Sequence, residues 1–157
     1  MTTLTVGSPC PDFALPDEGG ATVSLADLKG RPFVLYFYPK DDTTGCTKEA
    51  IDFTALESEF AAIDVPVIGV SPDSAKKHAK FRDKHGLKVR LLADEEKSLL
   101  EAAGAWVEKS MYGRSYMGVE RSTLLVDATG TIAAVWPKVK VPGHAEAVLA
   151  AARTVAA

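Results

Sequence analysis

The sequence predicts an α/β fold in which helices flank a central mixed β-sheet. Three observations support this fold. Short continuous apolar runs, typical of strands buried on both faces, alternate with amphipathic helical segments. Two later apolar runs flank Asp127-Ala128-Thr129-Gly130, a strong signal for an antiparallel hairpin. An alanine-rich helical segment follows the hairpin, and this order gives one sheet with helices on its faces.

The first elements follow from turn residues and apolar spacing. The opening stretch is rich in glycine and proline and is expected to hold short strands at a sheet edge. The segment LADLKG is typical of one helical turn closed by Gly30. Residues 33–38 form a continuous apolar run, typical of a buried strand. After a polar loop, apolar residues at helical spacing predict one helix over about 45–60, with Cys46 on its apolar face.

The later elements are predicted from the same signals. They are a buried strand at 65–70, a helix at 74–85 stopped by Gly86, a short strand at 89–92, a helix at 95–103 stopped by Gly104, hairpin strands at 123–126 and 131–136, and a final helix at 144–155. The order βαβαβ, hairpin, helix is thioredoxin-like. The length of 157 residues suits one domain, 1–157, with one hydrophobic core.

Composition and charge exclude several classes of function. Hydrophobic residues make up 46% of the chain and charged residues 25%, as in an ordinary globular protein. The formal net charge is −3 and lysine and arginine form no stripe, which argues against nucleic acid or an anionic membrane as a partner. No signal peptide is visible and the apolar runs are too short to span a membrane, so a cytoplasmic location is expected.

The chain has two cysteines, Cys10 and Cys46, and these limit the redox chemistry that it can perform. In a reducing compartment a structural disulfide between them is the less expected state. Two cysteines with scattered histidines also fall short of a zinc site, so neither a metal nor a cofactor is predicted. His78 and His85 are expected on a solvated helix surface. The two thiols are therefore either inert and buried or reactive, and their surroundings must decide.

The surroundings of Cys46 favour reactivity. The segment from Pro39 to Cys46 joins a buried strand to a helix start, where free backbone N–H groups stabilise a thiolate, the nucleophilic form of cysteine. Gly45 lets the backbone pack closely and leaves room for a small oxidant. The Thr43 hydroxyl can accept and donate a hydrogen bond, either to the sulfur or as a helix cap. The ring of Pro39 can wall one side of the site and limit water.

An arginine is the second group that this chemistry needs. A thiolate that attacks a peroxide displaces an alkoxide or hydroxide, so fixed positive charge and hydrogen-bond donors must polarise the O–O bond as it breaks. An arginine stays protonated and presents several donors in one plane. Arg121 leads into an apolar strand, which holds its charge close to the sheet, and is therefore the candidate.

The segment FYPKDDTTGCTKEA closely resembles the active site of the peroxiredoxins, specifically the bacterioferritin-comigratory or Q-type subfamily. The family motif of Pro, three residues, Thr or Ser, two residues and Cys falls on Pro39, Thr43 and Cys46. The arginine that leads the family's Arg-Ser/Thr-Thr-Phe strand matches Arg121 in RSTLLV, and Glu49 matches a polar position that supports this arginine. The segments SPCPDFALPDEGG, VIGVSPDS and KVKVPGHAEAVL extend the resemblance over most of the chain.

The resemblance implies a thiol peroxidase without metal or cofactor. Hydrogen peroxide or an organic hydroperoxide would oxidise Cys46 to a sulfenic acid, and thioredoxin or another thiol would regenerate it. Members of the subfamily are often monomeric. Many carry a resolving cysteine at the position of Ile51 and others at that of Arg82, and this chain has neither. A one-cysteine enzyme, or one with an unusual second thiol, is therefore expected, with Cys10 a packed residue in place of the alanine of the family's Ala-Pro-Asp-Phe.

Other interpretations stay open on the sequence. Cys46 could be an inert buried residue, and Glu49 could merely favour the helix N-terminus. A general disulfide oxidoreductase would need Cys-x-x-Cys, where this chain has Thr43-Thr44-Gly45-Cys46. A redox-sensing binding module or holdase, switched by Cys46 oxidation, is the alternative from another class. Four large side chains are expected to line the core or the pocket rim, although MYGRSYMG could instead be a surface loop that contacts a reductant: Trp106, Met111, Tyr112 and Trp136.

Overall fold

The computed structural model describes residues 4–156 of the chain. Its helices and strands are, in chain order, β1 (Ala14–Pro16), β2 (Thr22–Ser24), α1 (Leu25–Leu28), β3 (Phe33–Phe37), α2 (Thr44–Ala55), α3 (Glu57–Ala62), β4 (Val67–Ser71), α4 (Ala75–His85), β5 (Arg90–Ala93), α5 (Ser98–Ala102), β6 (Trp106–Met111), β7 (Arg114–Val119), β8 (Ser122–Val126), β9 (Ile132–Trp136) and α6 (His144–Ala156). Among these helices, none is long and apolar enough to cross a membrane.

A five-stranded sheet with the strand order β5-β4-β3-β8-β9 forms the centre of the fold. β3 runs parallel to β4, which runs parallel to β5, whereas β3 and β8 are antiparallel and β8 and β9 form the antiparallel hairpin. The central mixed sheet with flanking helices is therefore confirmed. β3 is buried along its whole length because it lies in the middle of the sheet and has packed layers on both faces.

The sheet separates two hydrophobic clusters. Alternate side chains of β3 point to opposite faces, so Phe33, Leu35 and Phe37 join the first cluster with α1, α5 and the N-terminal segment that carries Cys10. Val34 and Tyr36 join the second cluster with α2, α3, α4 and α6. The second cluster also contains Cys46, Ala50 and Phe53 of α2, which fixes the buried face of that helix. The two cysteines thus lie on opposite faces of the sheet.

The single helix predicted over 45–60 is wrong, because the chain breaks it at Leu56. This residue has φ −101° and ψ 6°, and its N–H bonds to the carbonyl of Phe53, three residues back, so the helical turn tightens there. A shorter helix, α3, then follows. Phe60 still packs against Phe53, with ring centroids 6.1 Å apart, which satisfies the apolar spacing on which the prediction rested. No glycine or proline marks the break.

The segment MYGRSYMG contributes the end of β6, the turn and most of β7 to a second hairpin, β6–β7, which the sequence did not reveal as strands. Its turn consists of Tyr112 and Gly113, both at positive φ (53° and 76°), as a two-residue hairpin turn with right-handed strand twist requires. Met111 is 55% exposed and Tyr112 is 97% exposed, so the prediction that they line the core is wrong, and the alternative of a surface segment fits them. Trp106 and Trp136 do pack against the first and second clusters, respectively.

Candidate active site

Cys46 lies in the first turn of α2, three residues after the N-cap position Thr43. Its side chain is only 1% exposed, because it belongs to the cluster beneath the helix. The first N–H groups of a helix have no partner within the helix and carry partial positive charge. The cysteine therefore lies at the end of α2 that stabilises an anionic sulfur, on the helix face predicted from the sequence.

Arg121 contacts the sulfur although it lies 75 residues after Cys46 in the chain. It immediately precedes β8, the central neighbour of β3. Its Nη2 donates a hydrogen bond to Cys46 Sγ at 3.2 Å, and its Nη1 donates to Glu49 Oε1 at 2.6 Å. One guanidinium thus donates hydrogen bonds to the sulfur and to a carboxylate from two different nitrogens, which its planar set of donors allows.

Glu49 is almost completely buried one helical turn after Cys46. Burial raises the pKa of its carboxyl to about 7, although the charge of Arg121 and the hydrogen bond from it act in the opposite direction. Its second oxygen, Oε2, has no hydrogen-bond partner among the described residues. The carboxylate therefore depends on Arg121 for its stabilisation, and in return it fixes the guanidinium beside the sulfur.

Gly45 makes room for this arrangement. A Cβ atom built on Gly45 would lie 3.1 Å from Arg121 Nη2, the nitrogen that donates to the sulfur. Any larger residue would crowd the guanidinium. The glycine is required here for close approach and not for an unusual backbone angle, in agreement with the close packing expected from the sequence.

Thr43 and Pro39 lie in the loop that leads to Cys46. The Thr43 hydroxyl donates to the carbonyl of Lys40 at 2.8 Å, and it does not cap α2. The capping role considered for Thr43 is therefore wrong, and its hydroxyl is directed to the loop in this structure. Pro39 is half-buried and directly follows Tyr38 at the end of the buried apolar run. The structure thus brings together Cys46, Arg121 and Glu49, with Thr43 and Pro39 in the adjoining loop.

Sequence reasoning missed a buried polar group beside this loop. His78 was expected on a solvated surface and is instead 0% exposed. Its Nδ1 lies 2.6 Å from Asp41 Oδ2, and its Nε2 lies 2.9 Å from the carbonyl oxygen of Leu92. The available signal was its spacing of three residues from Phe81, which places both on the same face of α4. His85 matches the expectation better, since it is partly exposed and contacts Asp42.

His144 is a second histidine held inside the protein. It begins α6, and its Nε2 is hydrogen bonded to Thr123 Oγ1 at 2.8 Å. Burial, assisted by the charge of Arg121, lowers the pKa of His144 to about 4. The imidazole is therefore neutral at physiological pH and links the last helix to the central sheet.

Cys10 lies on the opposite side of the central sheet from Cys46. It is buried in the first cluster, with the sheet between it and Cys46. Burial, with a smaller contribution from the charge of Asp12, raises the pKa of the Cys10 thiol to about 12, so the reactive thiolate is scarce at physiological pH. Within residues 4–156, no group of three or more histidine, cysteine or acidic side chains is placed to hold a metal ion.

Comparison with known proteins decides the family. The model of the AhpC/TSA family matches residues 6–135. The chain belongs to this family. Peroxiredoxin Bcp of Bacillus subtilis is 50% identical over 142 residues, which cover 90% of each chain. Peroxiredoxin Q of Xanthomonas campestris has a similar structure, with a TM-score of 0.90 and 42% identity over 99% of each chain.

Further structures agree with this family. A PrxQ variant from Xylella fastidiosa superposes with a TM-score of 0.93 at 37% identity over the whole of both chains. The resemblance to Q-type, or bacterioferritin-comigratory, peroxiredoxins is confirmed, and with it the thioredoxin-like fold. The protein is a peroxiredoxin, a thiol-dependent peroxidase that acts on hydroperoxides and is reduced by thiol partners such as thioredoxin.

Proposed function

We propose that Cys46 is the peroxidatic nucleophile and that Arg121 activates it. The observation that carries this assignment is the 3.2 Å hydrogen bond from Arg121 Nη2 to Cys46 Sγ. The thiolate attacks one oxygen of the hydroperoxide, an S–O bond forms as the O–O bond breaks, and the alkoxide or hydroxide leaves and takes up a proton. Arg121 stabilises the charge on both the sulfur and the departing oxygen. Cys46 ends as a sulfenic acid.

The remaining site residues have supporting roles. Glu49 orients Arg121 through the 2.6 Å ion pair. Pro39 shields one side of the sulfur, and Thr43 offers its hydroxyl to the peroxide once a substrate is bound. The substrates are hydrogen peroxide and organic hydroperoxides. A solved structure of the Xanthomonas campestris bacterioferritin comigratory protein is described by its alkyl peroxide reduction activity, which supports the organic part of this range.

The second half of the cycle uses an external thiol. Position 51 is a half-exposed isoleucine, position 82 is an arginine whose Nε binds the carbonyl of Val89, and Cys10 lies behind the sheet. A thiol of thioredoxin or another donor attacks the sulfenic sulfur, forms a mixed disulfide and releases water. A second thiol then displaces Cys46 and restores it. We therefore infer a one-cysteine enzyme. As expected from the sequence, we also propose that it is a monomer of one domain and that it works in the cytoplasm.

The first prediction concerns the two cysteines. One equivalent of hydrogen peroxide added to the reduced protein should add one oxygen to Cys46, detectable by intact and peptide mass and by a sulfenic-acid reagent. Cys46→Ser should abolish peroxide reduction. In the matched variant Cys10→Ser, Cys46 should be oxidised at nearly the wild-type rate, because the thiol that this variant removes is buried in the other cluster. A peptide joining Cys10 to Cys46 under non-reducing conditions would contradict the one-cysteine cycle. Full turnover by Cys46→Ser would overturn the assignment of the nucleophile.

A further inference from the structure

One face of the β6–β7 hairpin is largely exposed. Among residues 4–156 the two strands pair only with each other, outside the central sheet. Side chains of directly paired residues project to the same face, so the register separates two sets. Trp106 and Val119 belong to one face and pack against the first cluster at the base of the hairpin. The opposite face, which we call the outer face, consists of Val107, Lys109, Met111, Arg114, Tyr116 and Gly118.

The outer face combines exposed apolar side chains with positive charge. Met111 and Tyr116 are both exposed. Lys109 and Arg114 are the charged residues of this face, and neither forms an ion pair within residues 4–156. The acidic residue of the two strands, Glu108, lies on the other face. The outer face is therefore cationic and apolar on a chain whose formal net charge is −3.

Gly118 arranges the centre of the outer face. A Cβ atom built on Gly118 would lie 3.3 Å from Lys109 Cδ and 3.4 Å from Tyr116 Cε2. The tyrosine ring and the lysine stem therefore lie over the glycine, partly against the strand. The turn at Tyr112 and Gly113 has the backbone conformation that matches the twist of the strands. The outer face is thus largely arranged before a partner binds, which lowers the entropic cost of binding.

The hairpin is attached directly beside the candidate active site. Glu120 closes its base through a 2.7 Å hydrogen bond to the carbonyl of Ala105 and immediately precedes Arg121. Tyr116 lies five positions before Arg121, a span of at most about 18 Å. A protein partner commonly covers about 800 Å² on each side, which is a patch roughly 30 Å across. A partner whose thiol reaches Cys46 therefore brings its edge to the outer face.

We propose that the outer face of the β6–β7 hairpin is a docking surface for the protein that reduces oxidised Cys46. The partner is a dithiol protein of the thioredoxin type whose surface beside its nucleophilic thiol is apolar and carries carboxylates. Tyrosine, methionine and arginine are enriched at protein interfaces, and Lys109 and Arg114 attract an acidic partner that the net charge of the chain repels. Docking there holds the thiol beside Cys46. This inference rests on the proposed peroxidase cycle and adds the place where its reductant binds.

The test compares a protein reductant with a small one in Tyr116→Ala. The kcat/KM for thioredoxin should fall by roughly tenfold, as loss of a large aromatic contact at an interface produces, while reduction by dithiothreitol and oxidation by hydrogen peroxide stay within about twofold. The matched control is Met117→Ala, which shortens an adjacent side chain of similar exposure (49% against 44%) on the other face. This control should leave all three rates unchanged. Equal values of kcat/KM for thioredoxin in the two variants would overturn the docking surface.

The charge of the outer face is tested by Lys109→Glu. Charge reversal should lower kcat/KM for thioredoxin by roughly tenfold and remove most of its salt dependence, because salt screens the attraction in the wild type. The control is Ser110→Glu, which adds a negative charge at the next residue, on the other face, and should change kcat/KM by less than about twofold. A wild-type kcat/KM for thioredoxin that added salt does not lower would contradict the charge complementarity on which the docking surface depends.

Two further measurements separate the docking surface from its alternatives. If the wild type sediments as a dimer and Tyr116→Ala as a monomer, the outer face binds a second copy of the chain and docking of a reductant there is overturned. If Cys46 does not react with hydrogen peroxide, the proposed peroxidase function fails, and docking is then tested without catalysis. Addition of reduced thioredoxin should shift the NMR amide resonances of residues 107–116, and unchanged resonances would overturn the proposal.

Discussion

At the scale of single residues, the candidate site depends on one guanidinium that donates hydrogen bonds to both a sulfur and a carboxylate. Arg121 touches both Cys46 and Glu49, and the two raise the pKa of its side chain against the lowering effect of burial. A change in the charge of Glu49 must therefore alter how firmly Arg121 is held beside the sulfur. Since burial raises the pKa of Glu49 to about 7, this change falls within the physiological range of pH.

We accordingly expect Glu49 to contribute to the pH dependence of Cys46 oxidation. Below about pH 7 its carboxyl is protonated and its attraction for Arg121 weakens; above that pH the carboxylate forms the full ion pair. The oxidation rate constant of the wild type should include a rise centred near pH 7 that Glu49→Gln lacks, as stopped-flow fluorescence can record. Glu120→Gln, which changes a carboxylate paired with Lys138, is the control and should keep the rise. Identical profiles for wild type and Glu49→Gln would contradict this role.

The sequence predicted the surroundings of residues whose environment is local and failed for residues whose burial depends on distant parts of the chain. Cys46 and Arg121 were placed beside a helix start and an apolar strand, as the structure has them. His78 could not be placed, because α4 is polar in composition and a histidine among lysines is usually solvated. Its buried ring is hydrogen bonded to Asp41, which lies 37 residues earlier in the chain. Pairing across the fold was therefore the missing information.

At the scale of secondary-structure elements, the start of α2 is shaped by its second residue. Gly45 is a poor helix former, yet its Cβ position lies against Arg121. The proposed role of Arg121 and helix propensity thus favour different residues at this position.

The variant Gly45→Ala separates these two requirements. Alanine gains helix propensity of up to about 1 kcal/mol, which offsets part of the stability lost when the guanidinium moves away from Glu49, while the displaced guanidinium should slow Cys46 oxidation by roughly tenfold or more. Urea denaturation and peroxide kinetics on the same sample give both quantities. Wild-type kinetics in a normally folded Gly45→Ala protein would show that Arg121 does not need this space.

The same scale explains which elements the sequence concealed. The break at Leu56 has no glycine or proline, and the spacing of Phe53 and Phe60 remains helical across it. The β6–β7 hairpin is largely exposed on its outer half, so its polar residues do not alternate with apolar ones as in a half-buried strand. The central strands, in contrast, were predicted within a few residues because burial on both faces demands continuous apolar runs.

At the scale of the whole molecule, the last helix is attached to the sheet through a neutral histidine. The folded protein holds the pKa of His144 at about 4, below the ordinary value of 6.5. The unfolded chain therefore binds more protons than the folded protein between these values. The contribution of His144 to stability is present above pH 6.5 and is lost as the pH falls through 4.

We expect this linkage to appear in the unfolding free energy. The raised pKa of Glu49 acts in the opposite direction over this range, so the test is the difference between two proteins. As the pH falls from 6.5 to 4, the stability of the wild type should decrease relative to that of His144→Gln, as measured by urea denaturation. His85→Gln is the control, because that histidine is partly exposed and contacts Asp42 at the surface. If the unfolding free energies of wild type and His144→Gln ran parallel between pH 6.5 and pH 4, His144 would make no contribution to the pH dependence of stability.

The position of Arg121 in the chain also has a consequence during synthesis. Arg121 lies 75 residues after Cys46, and it reaches the sulfur only when β8 has paired with β3 in the middle of the sheet. A ribosome that has synthesised the first hundred residues has therefore made the proposed nucleophile but not the arginine proposed to activate it. The nascent chain carries an ordinary thiol, which reacts slowly with peroxide. Activation by Arg121, as proposed, would therefore begin only when the fold is nearly complete, and an unfinished chain would be protected from oxidation by peroxide.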